Sequence, residues 1–301
     1  MQHQSSNTYQ ANDYWSSIFN KQIDAKSVCY PDWPLSYNQF LHQQQIEMLL
    51  KILQSEHIQI AGKSVMEIGP GSGFWTHFFN ANQVESYTGI DINEKVISHL
   101  QQQYPLYQFF HQDIGIKNNR INELPQVDIV FAAMVLLHIT DDKKIEQAFT
   151  LINQQLKPKG IFILLDAIAT HQVFGVMKQQ AEGIDFDPQF HNKIRKMETV
   201  KMLASKNNLE IVKVIPAFNT SQMCFDFKTY LGYLIWGKCF YAFHRRLLHH
   251  ASENTGKKVA AFQRVLDRLL TQQCGMSMSS KWIVFRKKRV NPYCMLGCLT
   301  L

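Results

Sequence analysis

The sequence predicts an α/β protein with a doubly wound, mostly parallel sheet of seven strands. Three observations support this prediction. Strand and helix patterns alternate from residue 64 to about residue 165. A glycine-rich turn over 69–73 directly follows the first apolar run, as expected where a buried strand passes into a helix. Two later strand patterns, at about 209–215 and 281–288, add two further strands to this alternation.

Length and composition fit one large domain, or one domain with an insertion. The chain has 301 residues, of which 46% are hydrophobic. No run reaches 18 apolar residues, so no membrane-spanning helix is expected. Residues 1–15 lack the basic and apolar regions of a secretory signal, and a cytoplasmic location is expected. The six cysteines form no C-x-x-C pair, so we expect free thiols and no metal site.

The first strand and its turn have the composition of a ligand-binding loop. An apolar run, Val65–Ile68, leads into glycines at 69, 71 and 73. Glycine permits positive φ and lacks the Cβ atom that would keep a ligand from the backbone. The segment FWTHFFN then continues as a helix whose first amides face the ligand. Glu67, near the end of the strand, has a carboxylate that can hold the loop or bind a ligand amino group.

The residues after the turn favour a nucleoside ligand without a pyrophosphate. Phe74 occupies the position where a dinucleotide fingerprint has its third glycine. Asp91 ends the second strand, 22 residues after Gly69, where a carboxylate can accept hydrogen bonds from both ribose hydroxyls. The alternative role of Asp91 is to cap the following helix. Asp113, after the third strand, fits a contact to an adenine amino group beside the Ile114 amide, and its alternative role is that of a turn residue.

As a set, these motifs resemble the core of the class I S-adenosylmethionine-dependent methyltransferases. The resemblance extends from about 64 to 166 and includes a fourth strand, VDIVFAAMVL, and the segment LKPKGIFILLD that leads into the fifth. It implies a Rossmann-like sheet in which the two strands at about 209–215 and 281–288 form an antiparallel edge, with the last strand inserted between the fifth and the sixth. It also implies S-adenosyl-L-methionine as the cofactor and methyl transfer as the reaction. The cofactor-binding residues that it implies are Glu67, Gly69, Gly71, Gly73, Asp91, Ile92, Asp113, Ile114, Ala133 and Met134.

The element VLLHITDD resembles a bacterial branch of this family that acts on small molecules and glycoconjugates. A hydroxyl acceptor usually needs a general base, which a neutral amine can do without. We expect His138 and Asp166 to be the catalytic candidates, with His171 third. The alternative for His138 is a structural bond to the backbone, ahead of a helix capped by Thr140 or Asp141.

The resemblance divides the chain into a flexible N-terminal lid (1–35), a methyltransferase domain (36–290) and a tail (291–301). Apolar residues at helical spacing predict a helix over 36–60. The lid contains four aromatic residues, Tyr14, Trp15, Tyr30 and Trp33. Their side chains are expected either to stack on the donor or acceptor or to pack in the core.

About 65 residues separate the last two strands, where a hairpin would suffice, and this predicts a helical insertion at 217–279. Residues 228–290 contain 13 Lys or Arg against two acidic residues. This charge favours an anionic acceptor or an anionic surface, and a solvated helix surface is the alternative. The first insertion helix is apolar nearly all round, which predicts burial as a lid or cover. Membrane-surface contact and oligomer contact are the alternatives. Arg195 either binds an anionic acceptor or is a solvated residue at a helix start.

The sequence therefore predicts an S-adenosylmethionine-dependent methyltransferase that acts on a small molecule or glycoconjugate, at oxygen. An RNA or protein methyltransferase is the first alternative. The segment AAMV replaces the N/D-P-P-Y/F tetrad of amino-methylating nucleic-acid enzymes, so nucleic acid is not expected as a partner. A non-catalytic S-adenosylmethionine-binding protein is the second alternative, against which the intact glycines and acids argue.

Overall fold

The computed structural model describes residues 9–24, 27–28, 30, 32–117, 123–182, 187–218, 220 and 223–288. The expected tail at 291–301 and the first eight residues of the expected lid lie outside this part of the chain. So do Cys29, Cys294 and Cys298, whereas Cys224, Cys239 and Cys274 form no disulfide within the described part of the chain. Within the described residues, no helix is long and apolar enough to cross a membrane.

Helices and strands alternate through the first half of the chain, as predicted. The helices are α1 (Ala11–Phe19), α2 (Leu35–Ser55), α3 (Phe74–Ala81), α4 (Glu94–Gln103), α5 (Asp142–Gln155), α6 (Met197–Lys206), α7 (Tyr230–Gly232), α8 (Tyr241–Leu248) and α9 (Glu253–Arg268). A π-helical stretch, Tyr233–Phe240, joins α7 to α8, and another, Leu269–Gln273, extends α9. The strands are β1 (Ser64–Ile68), β2 (Ser86–Asp91), β3 (Gln108–His111), β4 (Val127–Ala133), β5 (Leu156–Asp166), β6 (Ile168–Ala169), β7 (Arg195–Lys196), β8 (Leu209–Pro216) and β9 (Lys281–Lys287).

Seven of these strands form one sheet in the order β3-β2-β1-β4-β5-β9-β8. The first five strands pair in parallel, whereas β9 runs antiparallel to both β5 and β8. The predicted Rossmann-like sheet is confirmed. The last strand, β9, is inserted between β5 and β8, which are the fifth and sixth strands of this sheet in chain order. The strand order reverses between β1 and β4, which is where the carboxyl ends of a doubly wound sheet leave room for a ligand.

Both faces of the sheet are buried, because successive side chains of a strand point to opposite faces. On β4, Val130 packs in the core formed with α5 and α6, whereas Phe131 packs in the core formed with α2 and α3. Phe162 of β5 and Phe285 of β9 stack with ring centroids 5.0 Å apart in the first core. The two cores hold the central strands rigidly, so the loops at their carboxyl ends have fixed positions.

Helix α2 ends five residues earlier than predicted. His57 adopts a φ of 54°, in the left-handed region, and the amide of Ile58 bonds back to the carbonyl of Leu53 at 2.8 Å. This is the geometry in which helices commonly stop. The predicted helix was too long because Ile58 and Ile60 continue the apolar spacing of the helix and still face the core, although the backbone there is no longer helical.

The segment between β8 and β9 packs against α2. The Glu253 carboxylate accepts hydrogen bonds from the amides of Leu35 and Ser36, both at 2.9 Å, and so caps a helix start that has no cap of its own. The Tyr37 hydroxyl lies 3.0 Å from the His244 Nε2 atom. The predicted burial of the first insertion helix is wrong in part: Leu231 and Phe243 each expose 65% of their surface. Only one face of this helix finds a neighbour, because α2 and α9 cover it from one side.

Candidate active site

One large cavity of about 1160 Å³ opens at the carboxyl ends of β1, β2 and β4. Its floor is the glycine loop at 69–72, and α1 and the residues after it lie against the opposite side. The segments at 175–180 and 188–194 contribute a further wall. Typical single-ligand pockets have volumes of roughly 300–1,000 Å³. The cavity is therefore large enough for a donor and an acceptor together.

The glycine loop holds its shape through left-handed backbone at Gly69, Gly71 and Gly73. A Cβ atom at Gly69 would lie 2.6 Å from Val135, and one at Gly73 would lie 2.6 Å from Leu100. At Gly71 the nearest atom would be 3.4 Å away, on Val28, and this residue lines the cavity. Gly69 and Gly73 are therefore required for packing, whereas a Cβ atom at Gly71 would make ordinary contact with Val28, and Gly71 itself lines the cavity.

Asp91 lies in the cavity wall beside the glycine loop. Its Oδ2 atom accepts a hydrogen bond from the Gly71 amide at 3.2 Å, and its Oδ1 atom accepts one from the Asn93 amide at 2.9 Å. Burial raises the pKa of Asp91 to about 6. The cap of α4 is Asn93, whose side chain accepts from the amides of Lys95 and Val96. The helix-cap alternative for Asp91 is therefore wrong, and its position fits a bond to a ligand hydroxyl.

We expect the Asp91→Ala variant to bind the donor more weakly by about 1.5–3 kcal/mol, because hydrogen bonds to a charged group contribute that much. Calorimetric titration of the folded variant with S-adenosylhomocysteine measures the loss. The matched control is Asn93→Ala, which removes the true helix cap. It should lower the melting temperature, at a cost of about 1 kcal/mol, and leave donor affinity nearly unchanged. Equal donor affinities in wild type and Asp91→Ala would contradict the role of the carboxylate.

Asp113 and its neighbours form the next part of the wall. The Asp113 Oδ1 atom accepts from the Gly115 amide at 2.8 Å, and Oδ2 pairs with Lys144 Nζ at 2.9 Å. Ile92 and Ile114 line the cavity on either side. The Gln112 Nε2 atom is buried in this wall and has no hydrogen-bond partner among the described residues. This arrangement suits the polar edge of a nucleobase, because the Gln112 amide is a hydrogen-bond donor that no described protein group uses.

Glu67 lies beneath the loop and does not line the cavity. Its carboxylate accepts hydrogen bonds from the hydroxyls of Tyr87 and Thr76. Burial raises the pKa of Glu67 to about 8. Of the two roles considered for Glu67, these contacts favour that of holding the loop, because they tie β1 to β2 and α3.

Ala133 and Met134 complete the donor side at the end of β4, and both line the cavity. Met134 has a φ of 57°, and its amide bonds to the Leu165 carbonyl at 2.7 Å. This turn directs the chain from the sheet into the short helical turn at 136–138. His138 therefore lies close to the donor side, although the sequence places it seventy residues after the glycine loop.

His138 lines the cavity in its neutral form. Its Nδ1 atom lies 2.7 Å from the His191 carbonyl oxygen, which can only accept, so Nδ1 carries the ring proton. Nε2 consequently keeps a lone pair that can take a proton. Burial lowers the pKa of His138 to about 4. The alternative role of His138, a structural hydrogen bond to the backbone, is thus present. The same bond fixes the tautomer in which Nε2 is free of a proton, as a general base requires.

The other sequence candidates lie elsewhere. Asp166 does not line the cavity: its Oδ1 atom accepts from the Ala167 amide at 2.8 Å, and burial raises its pKa to about 6. Arg195 is buried and donates to the carbonyls of Leu136 and Ile139, so it is not a solvated residue and holds the turn that carries His138. His171 lines a second, smaller cavity. We therefore keep only His138 as a candidate base.

The N-terminal helix contributes two of the aromatic residues expected there. The Trp15 ring meets His138 edge-on at 4.9 Å, and Tyr14 stacks on His191 at 4.6 Å. Trp33, by contrast, packs in the core with Tyr37. His191 and its neighbours carry no recognisable pattern, and sequence reasoning missed them. Only the folded chain brings them to the cavity; the missed wall residues are Gln180, His191 and Asn192.

Comparison with known proteins agrees with this geometry. Residues 65–160 match a family model described as a methyltransferase domain. No curated protein matches the chain. The fold resembles a candidate sarcosine dimethylglycine methyltransferase from Galdieria sulphuraria, with 14% identity, a TM-score of 0.52, and coverage of 92% of this chain and 98% of that one. It also resembles the N-methyltransferase NodS from Bradyrhizobium japonicum, solved with S-adenosylhomocysteine, with 14% identity, a TM-score of 0.52, and coverage of 92% and 100%.

Proposed function

We propose that this chain is a class I S-adenosylmethionine-dependent methyltransferase that methylates a small organic acceptor at an oxygen atom. The match of residues 65–160 to a methyltransferase domain supports the proposal. One observation carries the proposal. The cavity that contains Gly71 and Asp91 also contains the neutral imidazole of His138. A donor site and a candidate base therefore share one enclosed space.

The residues present fit S-adenosylmethionine. Gly71, the Asp91 carboxylate and Gln112, whose amide nitrogen is unpaired, all line the cavity and offer a place for an adenosine and its ribose hydroxyls. When bound, S-adenosylmethionine supplies an electrophilic methyl group on a sulfonium. The protein's task is to hold the acceptor in line with that group and to exclude water.

Oxygen is the proposed target because of the state of His138. A hydroxyl is a weak nucleophile, and loss of its proton to a base during transfer lowers the barrier. The Nε2 lone pair of His138 is available for that proton, since Nδ1–H is engaged with the His191 carbonyl. The fold relatives share only 14% identity with this chain, so they do not decide between nitrogen and oxygen.

The donor is tested by calorimetry on the purified protein. We expect S-adenosylmethionine and S-adenosylhomocysteine to bind with dissociation constants in the micromolar range, and NAD not to bind. The reason is Phe74, which begins α3 where a dinucleotide site has a glycine and which stacks on His42 at 4.3 Å. Heat from NAD, or none from either adenosyl ligand, would contradict the proposed donor site.

Transfer itself is tested by release of S-adenosylhomocysteine in the presence of acceptors. We expect turnover with small hydroxyl compounds and none with total RNA or a mixture of folded proteins. The reason is that Tyr14 and Trp15 lie over the acceptor region, which leaves a confined space. Turnover only with RNA or protein would favour the macromolecular alternative. Donor binding without turnover of any acceptor would favour the non-catalytic one.

We propose further that the exposed side of the insertion contacts an anionic membrane surface. The four basic residues Arg245, Arg246, Lys257 and Lys258 are exposed and do not line the cavity, so they do not meet an acceptor there. The same segment also exposes apolar residues at intervals of four or eight residues, namely Leu231, Ile235, Phe243 and Leu247. Apolar and basic side chains together suit a bilayer interface.

Changing the four basic residues to Gln should weaken sedimentation with phosphatidylglycerol-containing vesicles and reduce its dependence on salt. Donor affinity should stay the same. The control changes four exposed lysines of other helices to Gln, namely Lys51, Lys95, Lys143 and Lys201, and should retain vesicle binding. Equal binding by both variants would mean that the basic residues form only a solvated surface.

A further inference from the structure

Two side-chain amides in the cavity wall lack partners. Gln180 and Asn192 both line the cavity, and the Oε1 atom of the first and the Oδ1 atom of the second are buried and accept no hydrogen bond within the described part of the chain. Burying a polar atom without a hydrogen bond is unfavourable. Unpaired amide acceptors on two residues of the cavity wall therefore point to hydrogen bonds that a ligand supplies once it occupies the cavity.

Backbone hydrogen bonds connect the segments that carry both residues to the turn that carries His138. The Ile194 amide bonds to the Gln180 carbonyl at 2.5 Å, and the Lys193 amide bonds to the Leu137 carbonyl at 2.8 Å. Asn192 thus lies between Lys193, which bonds to Leu137, and His191, whose carbonyl accepts the hydrogen bond from His138. The two amides belong to the acceptor side of the cavity, not to the glycine loop.

The same wall carries no net charge and has an apolar part. The described cavity-lining residues of 175–194 and 223–225 include no Lys, Arg, Asp or Glu. Met177, Met223 and Phe225 supply apolar surface. An anionic acceptor would lose its hydration here without gaining a cationic partner, which is costly. The wall therefore fits an uncharged molecule with one apolar face and hydroxyl groups at its edge.

We propose that the acceptor is an uncharged, polyhydroxylated ring, held by hydroxyl hydrogen bonds donated to Gln180 and Asn192. This inference rests on the proposed function. In the reaction one ring oxygen substituent forms a bond to the methyl carbon, the carbon–sulfur bond of the sulfonium breaks, and the hydroxyl proton passes to His138 Nε2. A sugar and a polyphenol share this chemistry, and the wall is suited to either.

The experiment compares neutral rings with their anionic counterparts. The probes are methyl glucoside against methyl glucuronide, and pyrogallol against gallate, each assayed by release of S-adenosylhomocysteine. We expect turnover of the neutral member of one pair, which identifies the ring, with a KM at least about tenfold below that of its anionic counterpart. Preference for the anionic member, or no turnover of either neutral ring, would overturn the inference.

Variants then locate the contacts. Gln180→Leu and Asn192→Leu should each raise the acceptor KM about tenfold, with kcat and donor affinity little changed. The control Gln179→Leu alters an exposed neighbour and should leave KM unchanged. Melting curves verify that each variant folds. If a phenol with a single hydroxyl turns over and neither variant changes its KM, the inference fails while the proposed function stands. Absence of donor binding in the wild type would instead reject the proposed function.

Discussion

Gly71→Val should abolish donor binding while the protein remains folded. The side chain would extend from a loop residue that lines the cavity, where the nearest protein atom to its Cβ is 3.4 Å away, so it would occupy ligand space. Titration with S-adenosylhomocysteine should give no measurable heat. Binding that survives in a folded Gly71→Val protein would show that the loop does not contact the ligand.

The strain of this substitution needs its own control, because Gly71 has a φ of 53° and valine disfavours that region. Gly62 has a φ of 67°, and a Cβ atom built there would have no neighbour within 4 Å. Gly62→Val therefore imposes similar backbone strain at a site outside the cavity wall. It should lower the melting temperature about as much as Gly71→Val does, and donor affinity should be unchanged.

His138→Ala should lower kcat by about 10²–10⁴-fold, the range that general bases contribute, and leave donor affinity nearly unchanged. The matched control is His171→Ala, since His171 lies outside the large cavity. It should retain wild-type kcat. If both variants keep full activity with a hydroxyl acceptor, His138 is only a structural residue.

The pH profile gives a second measurement of the same role. Burial holds the pKa of His138 at about 4, below the ordinary value of 6.5, so the ring remains unprotonated well into the acidic range. We expect kcat to stay level as pH falls from 8 to about 5.5 and to decline as pH approaches about 4. A decline centred near pH 6.5 would contradict the lowered pKa.

Stability should respond to pH in the same window. As pH falls from about 6.5 toward about 4, the unfolded chain takes up protons at His42, His138 and His244 that the folded protein does not bind. The contribution of these residues to the free energy of unfolding is therefore full above about pH 6.5 and decreases below it. Glu67, Asp91 and Asp166 act oppositely, because their raised pKa values favour the fold at low pH, so the net loss of stability is smaller than the histidines alone would cause.

The sequence by itself predicted the parallel part of the sheet and the position of the proposed donor site. Apolar runs that end at glycines or acids, with helices between them, indicate a doubly wound parallel sheet, whereas the antiparallel edge was predicted from the family resemblance. Asp91 could be placed at the correct edge because the carboxyl ends of parallel strands meet there. The alternative role of Asp91 as a helix cap was wrong, because the side chain of Asn93 accepts the hydrogen bonds from the first amides of α4.

The tertiary structure alone decided the acceptor side. Gln180, His191 and Asn192 lie on segments without regular periodicity, and their position depends on long-range bonds such as that from the Lys193 amide to the Leu137 carbonyl. Burial of Arg195, solvation of Phe243 and the absence of Asp166 from the cavity wall likewise result from how elements pack. A local pattern specifies which residues a strand or helix presents. It does not specify which distant segment covers them, and here that covering segment forms one wall of the large cavity.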